Sequence, residues 1–149
     1  MRNIKDRGLE RVIREVAEKG TPFLGICLGL QLLFECSAEA PGMKGLGILK
    51  GEILRIPEQK GLKIPHMGWN SLHLENSGRL FQGIKEGSYV YFVHSYYLKA
   101  ADEKIVKAST EYGTHIHASV EQGNVFACQF HPEKSSDVGL AILRNFVEL

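Results

Sequence analysis

Cysteine is scarce in these 149 residues, and Cys27, Cys36 and Cys128 form an odd set without paired spacing. That excludes a disulfide framework and fits a reducing, cytoplasmic setting. No Cys-x-x-Cys or His-x-x-x-His pattern occurs, His115 and His117 notwithstanding, so neither zinc nor any other metal is expected, and nothing calls for a cofactor. No apolar run approaches spanning length, and the N-terminus lacks a signal-peptide core, so no membrane association is expected. An excess of charge is missing too: the net charge is +1, with lysine and arginine scattered, which argues against nucleic acid as a partner. Repeats, low-complexity tracts and interdomain linkers are absent. Length and ordinary apolar content point to one domain, residues 1–149, large enough to bury a core.

What is there is organised around Pro22 to Glu35. Phe23 to Ile26 reads as a short buried strand, and the leucine-rich run after Cys27 reads as a buried helix. Gly25 and Gly29 bracket Cys27 two residues to either side, which is the nucleophile-elbow spacing with cysteine in place of serine. A strand turning directly into a helix strains the backbone at the nucleophile, and a Cβ at either flanking position is expected to crowd the turn. A cysteine at a helix N-terminus is expected to favour the thiolate, and the N–H of Leu28 is placed to donate to an oxyanion. An isolated cysteine is more often an inert core residue; glycines on both sides at a strand–helix junction argue for a nucleophile.

The surrounding pattern is α/β. Ile4 to Lys19 is an amphipathic helix with Leu9, Val12, Ile13 and Val16 on one face, closed by Gly20 and Pro22. Glu52 to Ile56 and Ser71 to Leu74 read as strands, while Lys63 to Asn70, with the single tryptophan Trp69, reads as irregular. Tyr89 to Val93 is dense enough in aromatic and β-branched residues to predict a strand buried on both faces or nearly so. Ile105 to Ser109 is a further strand, and Thr114 to Glu121 with Val125 to Phe130 predict a hairpin around Gln122-Gly123-Asn124. A last helix starts near Ser136 or Asp137 and is expected to bury Leu140, Ile142 or Leu143, and Phe146.

A cysteine nucleophile needs an imidazole to move its proton and a third group to orient that ring. His131-Pro132-Glu133 stands at the exit of a predicted strand, where α/β sites lie. In an extended His-x-Glu the two side chains share a face, so Glu133 reaches one ring nitrogen of His131 while the other faces Cys27. Alone, this tripeptide would be a strand-end histidine with a solvated glutamate; beside the elbow it completes a candidate triad.

Gly25-Ile-Cys-Leu-Gly with Gln31, followed by Phe130-His-Pro-Glu, resembles the triad-type (class I) glutamine amidotransferases. Pro65-His-Met-Gly-Trp-Asn, Tyr91-Phe-Val-His-Ser-Tyr and Pro132-Glu-Lys-Ser are similar to the branch that feeds a (β/α)8-barrel cyclase in histidine biosynthesis. The resemblance implies a flavodoxin-like sheet with flanking helices. It implies that Cys27 attacks the carboxamide of glutamine, that His131 shuttles the proton and that Glu133 orients it. Gln31 and Glu39 match positions expected to hold the amino-acid end of the substrate, and Ser95 and Tyr96 match a strand-end backbone touching it. Ammonia would pass to the cyclase subunit for the making of imidazole glycerol phosphate. Trp69, in a Gly- and Pro-containing stretch outside any periodic segment, is expected at a partner interface, where tryptophan is enriched. The family's domain begins with further strands and a Pro-Gly-x-Gly loop that completes the oxyanion hole. No Pro-Gly-x-Gly occurs here and Met1 opens on the helix before the elbow, so the N-terminal strands are expected to be missing. A stand-alone cysteine amidohydrolase or γ-glutamyl hydrolase, and a fragment that packs without turning over, are the alternatives; the Trp69 stretch argues for a partner.

Overall fold

The computed structural model describes all of residues 1–149. Two helices open the chain, α1 (Arg2–Asp6) and α2 (Leu9–Glu18), where the periodicity predicts one. Gly8 separates them at φ +68°, a left-handed turn that glycine adopts without penalty. Ile13 and Ala17 of α2 pack on the core, whereas Leu9 and Val12 of the same predicted face are exposed.

The strand β1 (Phe23–Ile26) ends at Cys27, and α3 (Leu28–Leu32) follows at once. This helix is shorter than the leucine run suggests, because Leu33 and Phe34 stay buried after the helix has ended. Next come β2 (Cys36–Ser37), β3 (Gly51–Arg55), β4 (His66–Ser71) and β5 (His73–Leu74). Then follow β6 (Tyr89–His94), β7 (Tyr96–Ala100), β8 (Val106–Glu111), β9 (His115–Gln122), β10 (Val125–Cys128) and the closing helix α4 (Ser136–Val147). The hairpin of β9 and β10 turns at Gly123, φ +59°, as predicted.

A central sheet runs in the order β1-β10-β9-β8-β5, with β1 parallel to β10 and its other pairs antiparallel. Successive residues of β10 feed opposite layers: Val125 and Ala127 join the cluster under α2 and α3, Phe126 and Cys128 the cluster under α4. Period-two alternation thus places apolar groups on both faces, and helices cover both, as the predicted α/β class requires. Two smaller sheets, β2-β3-β7 and β4-β6, flank it. The chain leaves β6 for β7 at Ser95, switching sheets at a single residue.

Three expectations need correcting. Lys63 to Asn70 is not irregular throughout: His66 to Asn70 lie in β4, paired residue for residue with β6, His66 opposite His94 and Trp69 opposite Tyr91. Partner-strand hydrogen bonding overrides the weak local propensity of its glycine and asparagine. Second, β6 is buried on one face only, with Val90, Phe92 and His94 inside and Tyr89 exposed. Third, Leu140 on α4 is 60% exposed; Ile142 is buried, and Val138 and Phe146 pack against it.

Candidate active site

Three strands converge on Cys27. Parallel pairing sets Ile26 opposite Cys128, and the Cys27 N–H donates to the Cys128 carbonyl at 2.8 Å. From β6, the Val93 carbonyl lies 4.0 Å from Cys27 Sγ, and the Tyr91 carbonyl accepts from the His131 N–H at 3.0 Å. Residues just past the carboxyl ends of β1 and β10 therefore share one locus.

Cys27 has φ +51° and ψ −104°, one of two non-glycine residues at positive φ. The strain of the elbow is thus present at the residue the sequence singles out. The two glycines differ. A Cβ on Gly25 would come within 2.9 Å of the Gly29 carbonyl, so close approach of α3 demands glycine there. A Cβ on Gly29 would meet open space, so the expectation of crowding on both sides holds only for Gly25.

The thiolate expectation is also corrected. Burial pushes the Cys27 thiol above its ordinary range; the Leu28 N–H and the Gln129 amide pull it down, and the charges of Glu133 and Glu39 add to the rise. A five-residue helix supplies too little dipole to outweigh desolvation. Cys128, fully buried, is pushed up to about 12, while Cys36 is exposed. With iodoacetamide at neutral pH, Cys36 is expected to react first, Cys27 slowly and Cys128 not at all. Labelling of Cys27 should still be accelerating above the ordinary thiol range, and peptide mapping across pH checks this.

His131 Nδ1 donates to Glu133 Oε1 at 2.7 Å, which leaves Nε2 as the free lone pair; that atom is buried and makes no hydrogen bond. The geometry differs from the expected extended tripeptide. Pro132 to Lys134 form a 3-10 turn that folds the glutamate back onto the ring. Ser135, buried, holds the turn: its hydroxyl donates to the His131 carbonyl (2.6 Å) and accepts from the Tyr91 N–H (2.9 Å). Gly139 lets α4 sit against it, since a Cβ there would clash with the Pro132 carbonyl oxygen.

A cavity of about 170 Å³ lies beside the elbow, lined by Leu28, Gln31 and Glu39 together with Met1, Cys36 and Met43. Gln31 does not extend freely into it. Its amide nitrogen donates to the Tyr96 carbonyl and to Gln129 Oε1, both at 3.0 Å. The Tyr96 oxygen, an acceptor only, fixes that amide's orientation; Gln129 in turn aims its own nitrogen at Cys27 Sγ, 3.8 Å away. The Ser95 carbonyl is taken by the Ile56 N–H at 2.9 Å. Gln129, fully buried, is the site residue that sequence reading misses. Its one signal is its place two residues before His131.

Trp69 is set apart from this locus. It stands on the outer face of β4, 53% exposed and edge-on to Tyr91, with Met67 and Tyr89 also exposed. No group of three or more histidine, cysteine or carboxylate side chains is arranged to hold a metal ion.

Comparison with known proteins gives the family. The class-I glutamine amidotransferase family matches residues 3–149. The imidazole glycerol phosphate synthase subunit HisH of Moorella thermoacetica is 52% identical over 149 residues, 100% of this chain and 70% of that protein. The HisH subunit of Aquifex aeolicus is 53% identical over 146 residues, 98% of this chain and 70% of that protein. Among solved structures, a glutamine amidotransferase superposes with a TM-score of 0.71 at 23% identity, covering 97% of this chain and 69% of the other. A glutamine amidotransferase from Thermotoga maritima gives 0.62 at 20% identity, covering 95% and 54%. The chain belongs to the class-I glutamine amidotransferases, in the family of HisH subunits of imidazole glycerol phosphate synthase.

Proposed function

We propose that this chain hydrolyses glutamine to glutamate and ammonia with Cys27 as nucleophile, His131 as base and acid, and Glu133 as its orienter. The ammonia passes to a (β/α)8-barrel cyclase subunit, which forms imidazole glycerol phosphate in histidine biosynthesis. The observation that carries the reading is the strained Cys27 just past the end of β1 and, past the end of the adjoining β10, a Glu133-oriented His131 whose buried Nε2 is left free and makes no hydrogen bond to the sulfur.

Because burial disfavours the thiolate, the proton must leave with the attack. His131 Nε2 takes it from Cys27 as sulfur bonds to the carboxamide carbon, and the oxygen becomes an oxyanion facing the Leu28 N–H. The imidazolium then protonates the nitrogen, the C–N bond breaks and ammonia departs, leaving a γ-glutamyl thioester. Water, losing a proton to His131, attacks that carbon; the C–S bond breaks, and the imidazolium returns the proton to sulfur. Glu133 holds the Nδ1–H tautomer throughout.

The outer face of β4 and β6 supports a partner-bound enzyme over a stand-alone hydrolase. Met67, Trp69 and Tyr89 leave apolar surface in water close to strands that touch the site. Trp69→Ala is expected to weaken cyclase association by about tenfold or more, on the order of a hot-spot tryptophan, and to leave the melting temperature nearly unchanged. Titration calorimetry with the cyclase and a thermal melt check both; lost folding with unchanged affinity would make Trp69 a packing residue. Assaying ammonia release with and without the cyclase tests the whole reading, which expects strong stimulation by the partner.

A further inference from the structure

Two buried histidines, His66 and His94, lie outside the candidate triad yet connect to it. They face each other across β4 and β6, with His66 Nδ1 and His94 Nε2 3.0 Å apart. His94 Nδ1 is 2.8 Å from the Tyr96 carbonyl, and His66 Nε2 is 3.3 Å from the Asn70 amide nitrogen. His66 is stacked between Phe92 and Tyr112, with centroids at 4.6 and 3.9 Å. An aromatic core pair would satisfy the packing; nothing in packing requires two imidazoles.

The direction of every proton in this row follows from its ends. A carbonyl oxygen only accepts, so His94 Nδ1 carries hydrogen and its Nε2 is the acceptor. His66 Nδ1 must then donate, which leaves His66 Nε2 to accept from Asn70, itself anchored by donating to the Glu111 carbonyl at 3.0 Å. Burial holds both rings near a pKa of about 4, His66 further lowered by His94, so both are neutral at pH 7. The row delivers one N–H to the Tyr96 carbonyl, the same oxygen that accepts from Gln31. Gln31 continues through Gln129 to Cys27 Sγ.

We propose that His66 and His94 are positioning residues of the glutaminase site. His94 fixes the Tyr96 carbonyl and, through it, the Gln31 amide at the cavity beside the elbow; His66 acts by locking the tautomer of His94. The proposal rests on the glutaminase reading of Cys27. It deepens that reading by naming what holds the substrate-side backbone in place.

The test uses the full chain bound to its cyclase. For each variant, the rate of Cys27 alkylation by a glutamine-analogue chloroketone is divided by the rate with iodoacetamide, so thiol chemistry cancels and recognition remains. Leaving a buried partner unsatisfied should lower this ratio about tenfold in His66→Phe, which keeps the stacking, and in His94→Gln. His94→Asn places an amide near the Nδ1 position and should restore most of the ratio. In a His94→Asn background, His66→Phe should have no further effect, because the tautomer it controls is gone. A merely structural role predicts additive losses and no difference between asparagine and glutamine at 94, and either result overturns the proposal. Should His66→Phe fail to fold in a thermal melt, the asparagine–glutamine comparison decides alone. Wild-type protein that reacts with iodoacetamide but never with the chloroketone overturns the glutaminase reading and this proposal with it. Normal wild-type selectivity with unchanged variants overturns only the proposal.

Discussion

His131→Ala is expected to lower kcat for glutamine hydrolysis by about 10⁴-fold, the upper range for a general base. The effect is large because Cys27 has no standing thiolate to fall back on. Burial raises its thiol, and the Leu28 and Gln129 donors only partly offset this. Glu133→Ala removes the acceptor that fixes the Nδ1–H tautomer, not the base itself. It should be milder by about two orders of magnitude, as an orienting group is. Raising the pH should recover part of the His131→Ala loss, since solvent then removes the proton, whereas the wild type should gain little. Steady-state ammonia release at several pH values checks both variants, and near-equal losses would show that Glu133 does more than orient.

Adding upstream sequence that contains a Pro-Gly-x-Gly loop should raise glutaminase activity by about 10²–10³ over residues 1–149 with cyclase present, which is the contribution of one oxyanion donor. On the mechanism proposed above the Leu28 N–H supplies one oxyanion donor, and the family resemblance implies a second from that loop. The fold gives a second reason. β1, which carries Cys27 at its end, is an edge strand paired only with β10. An edge strand with free backbone groups is prone to pairing with other chains, so the longer version should also stay monomeric to higher concentration. The 149 residues span about 70% of the length of the HisH relatives. Equal rates for both versions would contradict this account of the oxyanion hole.

The elbow and the pairing of His131 with Glu133 were legible because their chemistry is local, although a 3-10 turn makes that pairing and not the extended tripeptide expected. Gly25 is forced by a backbone contact with Gly29, on the next turn of chain, and Glu133 reaches back to His131 across one proline. What was not legible depends on pairing between distant segments. His66 to Asn70 has poor strand propensity and becomes β4 only because β6 lies beside it. Gln129 looks like an ordinary strand residue until Gln31, brought in through the β1–β10 pairing, meets its side chain. The cysteine's ionisation was hidden for a similar reason: the helix start is visible in sequence, whereas the burial that outweighs it is a property of the packed core.

The central step is the covalent bond between Cys27 and the substrate, and acid-quenched mass spectrometry of the enzyme–cyclase complex turning over glutamine reads that bond directly. The expected result is a γ-glutamyl thioester on the peptide holding Cys27, lost after brief hydroxylamine treatment and absent from Cys27→Ser. Ammonia release with no acyl adduct on Cys27 at any quench time, or with the adduct on Cys36, would contradict it.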